Sequence, residues 1–188
     1  MHTFNMSVKR IGFACKWAEI NKKGEIASAE GLNTGGTTMA WAKRNNRAKV
    51  EEKIIDVAKT NIMNTHALIK KVATLPPQLR MLRITSDMLS FYTHEDYKDF
   101  WQSNTVQNLL ASWFSPLGVT ARENDIRVSF HPDQFVVLNS NSPQVIESSI
   151  KEIEYHADVA ELVGADVINI HGGNSKPDKK SALDSFAM

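Results

Sequence analysis

The sequence predicts an α/β protein built from parallel β/α units, on three observations. Short apolar runs that read as strands alternate with longer runs of helical period. Polar residues or glycines follow the strand-like runs at their C-terminal ends. Two of those ends, at His131 and His171, deliver a histidine. In parallel sheets the strand-to-helix loops converge at the C-terminal strand ends, so reactive residues collect there.

The elements follow in order. Residues 8–17, VKRIGFACKW, have a short apolar centre suited to a first strand, with Gly12 permitting close packing and Phe13 near its end. Residues 18–46 lack periodicity and contain Gly24, Gly31, Gly35 and Gly36, which predicts a long loop. From Arg47 to Val72, the positions Val50, Ile54, Val57, Ala58, Leu68 and Val72 keep helical spacing and predict a helix. Asn61 and Thr65 interrupt its apolar stripe. Such polar residues are local hydrogen-bond devices more often than catalysts, and near the mouth they orient a loop or a ligand. Pro76 and Pro77 end the connection.

Leu82 and Ile84 give the second strand, followed by Thr85, Ser86 and Asp87. Residues 105–123 predict a helix that Pro116 either kinks or restarts with Ser115 as its N-cap. In the third strand Ile126, Val128 and Phe130 alternate with Arg127 and Ser129; His131 follows, and Pro132 stops further pairing. Asn141 and Ser142 before Pro143 start the next helix, whose expected buried stripe is Ile146, Ile150, Ile153, Ala157 and Ala160, with Gly164 as its stop. The fourth strand lies in ADVINIHGGNS, residues 165–175, where Gly172 and Gly173 allow a sharp turn after His171. A last helix begins near Ser181, with no stop before Met188.

A chain of 188 residues buries one substantial core, so residues 1–188 read as a single domain. The single Cys15 forms no internal disulfide, and no apolar run approaches the roughly 18 residues of a membrane span. With no segment resembling a signal peptide, the expectation is a soluble, cytoplasmic protein without a membrane partner. The net charge of +1 conceals an asymmetry: residues 1–80 carry 14 Lys and Arg against 6 Asp and Glu, and residues 81–188 carry 8 against 15. A basic half suits an anionic partner such as nucleic acid, and an acidic half with histidines suits cations; solvated helix faces are the alternative. Lys43, Arg44 and Arg47 lie near Trp41, a pairing of cations and stacking surface that suits nucleic acid. His131 and His171 are then expected to face each other across the mouth, the alternative being two hydrogen-bonded polar residues at buried strand ends.

The segments IGFACK, KTNIMNTHALI, LRITSDMLSF, RVSFHPDQFVVLNS, EYHADV and VINIHGGNSK, in this order, resemble the N-terminal portion of the UV damage endonuclease family. The resemblance implies a TIM-barrel-like fold related to the xylose isomerase barrel, and a nuclease that nicks double-stranded DNA on the 5′ side of UV photolesions. It implies divalent metal ions, commonly manganese, at the C-terminal mouth. His131 and His171 are then metal ligands, with Asp87 standing where some members place a histidine. The DNA contacts expected are Phe13, Asn33, Lys43, Arg44 and Arg47. Gln134 and Phe135, on the turn after His131, are expected to probe the lesion, Phe135 filling the gap left by extruded bases. The alternative for Phe135 is burial beside Val137.

An eight-stranded β/α barrel needs about 250 residues, so four units supply about half of one. The ligands that complete the family's metal cluster lie on later strands. The chain is therefore either a fragment or truncated product, or it closes its barrel with a second polypeptide, and little incision is expected from it alone. The competing readings are a metal-dependent sugar isomerase or epimerase of the related barrel, and a non-catalytic DNA-binding remnant.

Overall fold

The computed structural model describes residues 9–175 and 178–187. The chain runs β1 (Phe13–Ala14), β2 (Ala18–Ile20), β3 (Ile26–Ser28), α1 (Met39–Ala42), α2 (Arg47–Ala73), β4 (Met81–Arg83), α3 (Lys98–Trp101), α4 (Asn104–Glu123), β5 (Arg127–Phe130), α5 (Pro143–Val163), β6 (Val167–Ile168) and α6 (Lys179–Ala187). Strands β1, β4, β5 and β6 form one sheet in that order, and each pairing is parallel. The four predicted strands are thus the four strands of the sheet, joined by helical crossovers.

Register explains what each face buries. Leu82 pairs with Phe13 on one side and Val128 on the other, and Phe130 pairs with Ile168. Leu82, Val128 and Phe130 are buried in a core shared with α2, α4 and α5. Alternation turns Met81, Arg83, Arg127, Ser129 and Val167 to the opposite face. Gly12 is required where β1 meets β4: a Cβ there would lie 2.2 Å from the Met81 carbonyl oxygen.

Helix α2 is the predicted one, capped by the Asn46 side chain, which accepts from the Lys49 N–H. Helix α4 runs unbroken through Pro116, so that proline neither restarts the helix nor makes Ser115 a cap; Ser103 caps it instead. Helix α5 starts at Pro143 and ends at Gly164 in the left-handed region, as the sequence predicts. Its buried face is displaced from the expected stripe. Ser149, Tyr155, His156, Val159, Ala160 and Val163 are buried, whereas Ile150 and Ala157 are exposed. Side-chain polarity misled the reading here, because Ser149 and Tyr155 turn inward to bond the loops. Helix α6 begins at Lys179, where the Asp178 carboxylate accepts from the Lys180 and Ser181 N–H groups.

The expected loop at 18–46 contains regular structure. β2 and β3 form an antiparallel hairpin in which Ile20 pairs with Ile26, and both are exposed, at 76% and 83%. A hairpin with no buried face leaves no alternation of polarity to read. Asn21 makes its turn, with the side-chain oxygen accepting from the Lys23 and Glu25 N–H groups. The 3₁₀ turn Glu95–Tyr97 and helix α3, which places Trp101 fully in the core, lie between the predicted elements. No helix among the described residues is long and apolar enough to cross a membrane.

Asn61, 1% exposed, is the polar device that joins α2 to two loops. Its side-chain oxygen accepts from the Gly35 N–H at 2.9 Å, and its amide donates to the carbonyls of Gly35, Asp87 and Met88 at 2.9–3.1 Å. Asn61→Leu keeps the branched shape of the side chain and removes every one of these bonds. It should lower the unfolding free energy by about 2–4 kcal/mol, the cost of several buried backbone groups left unpaired, as read by urea denaturation.

Candidate metal centre

Parallel pairing of β5 with β6 brings the two predicted histidines together. Ser129 pairs with Val167 and Phe130 with Ile168, so the next step of the register sets His131 beside Asn169. The His131 Nδ1 lies 2.5 Å from the Asn169 carbonyl oxygen. A carbonyl only accepts, so Nδ1 carries the hydrogen, which in the neutral form of the ring leaves the lone pair on Nε2. His171 follows two residues after Asn169 on the same face, and its ring centroid lies 4.5 Å from that of His131. The rings are neighbours on adjacent strands, where the sequence suggested opposition across the mouth.

Two loops are fixed around the pair by groups that hydropathy reading does not single out. The Ser86 hydroxyl donates to the His131 carbonyl at 3.0 Å. Tyr155 on α5 donates its hydroxyl to the Ser86 carbonyl at 2.7 Å and accepts from the Leu89 N–H at 3.2 Å. Burial pushes that phenol well above its ordinary range, so it stays a neutral donor. Asn139, 5% exposed, ties the turn after β5 to the turn after β6: it donates to the carbonyls of Asn174 and Ala182 and accepts from the Asn174 N–H. Gly173 sits against it at φ +79°, and a Cβ there would fall 2.0 Å from the Asn139 oxygen. The NS and GGN segments held the signal for this clasp, but only as pairs of turn residues.

Asp87 does not join the histidines. It is exposed and lines a cavity of about 520 Å³ between the loops at 36–38 and 86–93 and helix α5, whereas His131 lines a different cavity of about 380 Å³ on the sheet face. Among the described residues no group of three or more His, Cys, Asp or Glu side chains gathers around one point. Two neutral imidazoles fit part of the shell of a borderline divalent ion and do not enclose one.

The turn after β5 presents Gln134 and Phe135 to solvent, with Phe135 77% exposed. Buried Pro132 and Val136 anchor the turn on either side, and the Asp133 carboxylate accepts from the Phe135 N–H. Burial of Phe135 beside Val137 is therefore overturned. The expected DNA contacts are differently placed. Phe13 packs edge-on against Trp17 at 5.1 Å, and the Asn33 amide is engaged by Trp17, Ser28 and Ala29. Arg47 bridges Glu51 and Asp99, and Arg44 donates to the Ala40 carbonyl; Lys43 is exposed at the end of α1.

Parallel β/α units carrying imidazoles at the C-terminal mouth define a TIM-barrel-like protein, of which this chain covers part. The crystal structure of SacUVDE aligns with a TM-score of 0.74 and 26% identity, over 95% of this chain and 54% of its own. The family model of the UV-endonuclease UvdE matches residues 9–188, and the chain belongs to that family. The UV DNA damage endonuclease of Bacillus velezensis is 30% identical over 156 residues, covering 80% of this chain and 47% of its own. That of Bacillus cereus strain 03BB102 is 28% identical over 143 residues, covering 72% and 42%. The chain spans about half the length of the curated relatives it matches.

Gly173→Ala should force the Asn139 clasp apart. Exchange of the Asn174 amide hydrogen should then accelerate at least tenfold while exchange in α2 is unchanged, as measured by hydrogen–deuterium exchange.

Proposed function

We propose that this chain contributes the lesion-reading turn and part of the metal shell of a DNA repair endonuclease that nicks double-stranded DNA on the 5′ side of UV photolesions. The observation that carries the reading is the imidazole pair, 4.5 Å between centroids, in a chain of the UvdE family. His131 and His171 would hold a divalent ion, manganese for preference, the Asn169 carbonyl fixing the tautomer that leaves Nε2 of His131 free to coordinate. Such an ion supplies Lewis acidity at the scissile phosphate. Asp87, on its separate loop, would serve only through movement of the 86–93 segment. The free Cys15 suits a cytoplasmic setting.

The remaining ligands in this reading come from polypeptide outside the described residues, so a second barrel half is needed for full incision. In the purified chain, His131→Ala and His171→Ala should each weaken manganese binding at least tenfold in calorimetric titration. Each should abolish whatever nicking of irradiated plasmid a completed barrel shows. Unchanged metal affinity in both variants would make the histidines structural. DNA binding should persist, because phosphate contacts by Lys and Arg do not pass through the pair.

Phe135 supports the assignment of the turn. An exposed aromatic held by a buried frame costs little to insert where stacking is already damaged, and base stacking contributes about 1–3 kcal/mol. Phe135→Ala should reduce the preference for irradiated over undamaged duplex about tenfold or more in competition binding, with folding and metal content unchanged. A variant that selects lesions normally would remove the wedge role.

A further inference from the structure

The ladder between β4 and β5 continues one rung past the point where the backbone leaves it. Arg83 pairs with Ser129, and the Ile84 N–H donates to the Ser129 carbonyl at 2.9 Å. Rungs of a parallel ladder repeat every two residues, so the next would run from the Ser86 N–H to the His131 carbonyl. The Ser86 side chain makes that bond instead, its hydroxyl donating to the His131 carbonyl at 3.0 Å. Among the described residues no other donor reaches this carbonyl. Tyr155, 5% exposed, holds the serine in turn by donating to its carbonyl at 2.7 Å.

His131 is therefore held at two points. Its carbonyl is tied toward β4 through Ser86, and its ring is tied toward β6 through the Asn169 carbonyl. Both bonds act on one residue, so release of the carbonyl lets the backbone turn and carries the ring away from Asn169. Packing alone does not replace the hydroxyl. Ser86 lies beyond the end of β4, is only half-buried, and with Tyr155 lines the cavity of about 520 Å³, whereas His131 lines the one of about 380 Å³. We propose that Ser86 is a positioning residue for His131, with Tyr155 acting through it: the hydroxyl stands in for a backbone rung and so fixes the contact with Asn169 that sets the tautomer. The effect on metal affinity rests on the reading of the pair as ligands, while the positioning itself needs no metal.

The test uses the full 188-residue chain, with the neutral ring nitrogens observed by NMR without metal and manganese then titrated calorimetrically. The His131 ring should hold its hydrogen on Nδ1 in the unmodified chain and in Ser86→Thr, which keeps a hydroxyl. In Ser86→Ala it should populate both tautomers and bind manganese at least tenfold more weakly, the loss expected when a group that supports a ligand is removed. Tyr155→Phe should shift His131 in the same direction, and its result decides should Ser86→Ala not fold. His156, next to Tyr155 on α5, should keep the bond from its Nδ1 to the Glu152 carbonyl in every variant, which separates local release from general loosening. A His131 ring that keeps its hydrogen on Nδ1 in both Ser86→Ala and Tyr155→Phe would overturn the proposal, as would a Ser86→Thr chain that behaves like Ser86→Ala. If the unmodified chain binds no manganese, the metal reading fails and the tautomers still decide the positioning.

Discussion

Parallel pairing between β5 and β6 is the constraint on which the rest of the mouth depends. Because Phe130 stands opposite Ile168 in that ladder, the following residues of both strands reach the C-terminal edge together, and His131 meets the Asn169 carbonyl and the His171 ring. A slip of one residue would turn Ser129 and His131 toward the helices and expose Val128 and Phe130. The burial of those two side chains, each 1% exposed, is thus what fixes the position of the imidazoles. Core packing and site geometry are one commitment, made in a single short strand.

The loops beyond the sheet are held by buried amides and a phenol. Asn61 gathers the segments at Gly35 and Asp87, Tyr155 gathers Ser86 and Leu89, and Asn139 gathers Asn174 and the start of α6. Each replaces water on backbone groups that lie outside any ladder, and removing one strands its partners without solvent. These clasps explain how a mouth built from irregular chain keeps a defined shape around exposed, chemically useful side chains.

Much of this was legible in the sequence. The four parallel strands, α2, and the Ser142-Pro143 start and Gly164 stop of α5 follow from periodicity and caps, and alternation before His131 and an apolar run before His171 put both histidines at strand ends. The β2–β3 hairpin was not legible, because Ile20 and Ile26 are both exposed and no face is buried to create alternation. The inward turn of Ser149 and Tyr155 was hidden for the opposite reason: polar side chains were assigned to the outside of α5, and their partners are backbone groups distant in sequence. Separation of Asp87 from the histidines also lay beyond reach, since strand-end position does not say which of two neighbouring cavities a loop side chain enters.

The central claim is that the fold delivers His131 and His171 as one coordinating pair. Nitrogen-detected NMR of the histidine rings during manganese titration tests it most directly. The account predicts a His131 ring protonated at Nδ1 before metal is added, followed by paramagnetic broadening of His131 and His171 together at the lowest manganese concentrations. Broadening of only one of the pair, or a His131 ring protonated at Nε2, would contradict it.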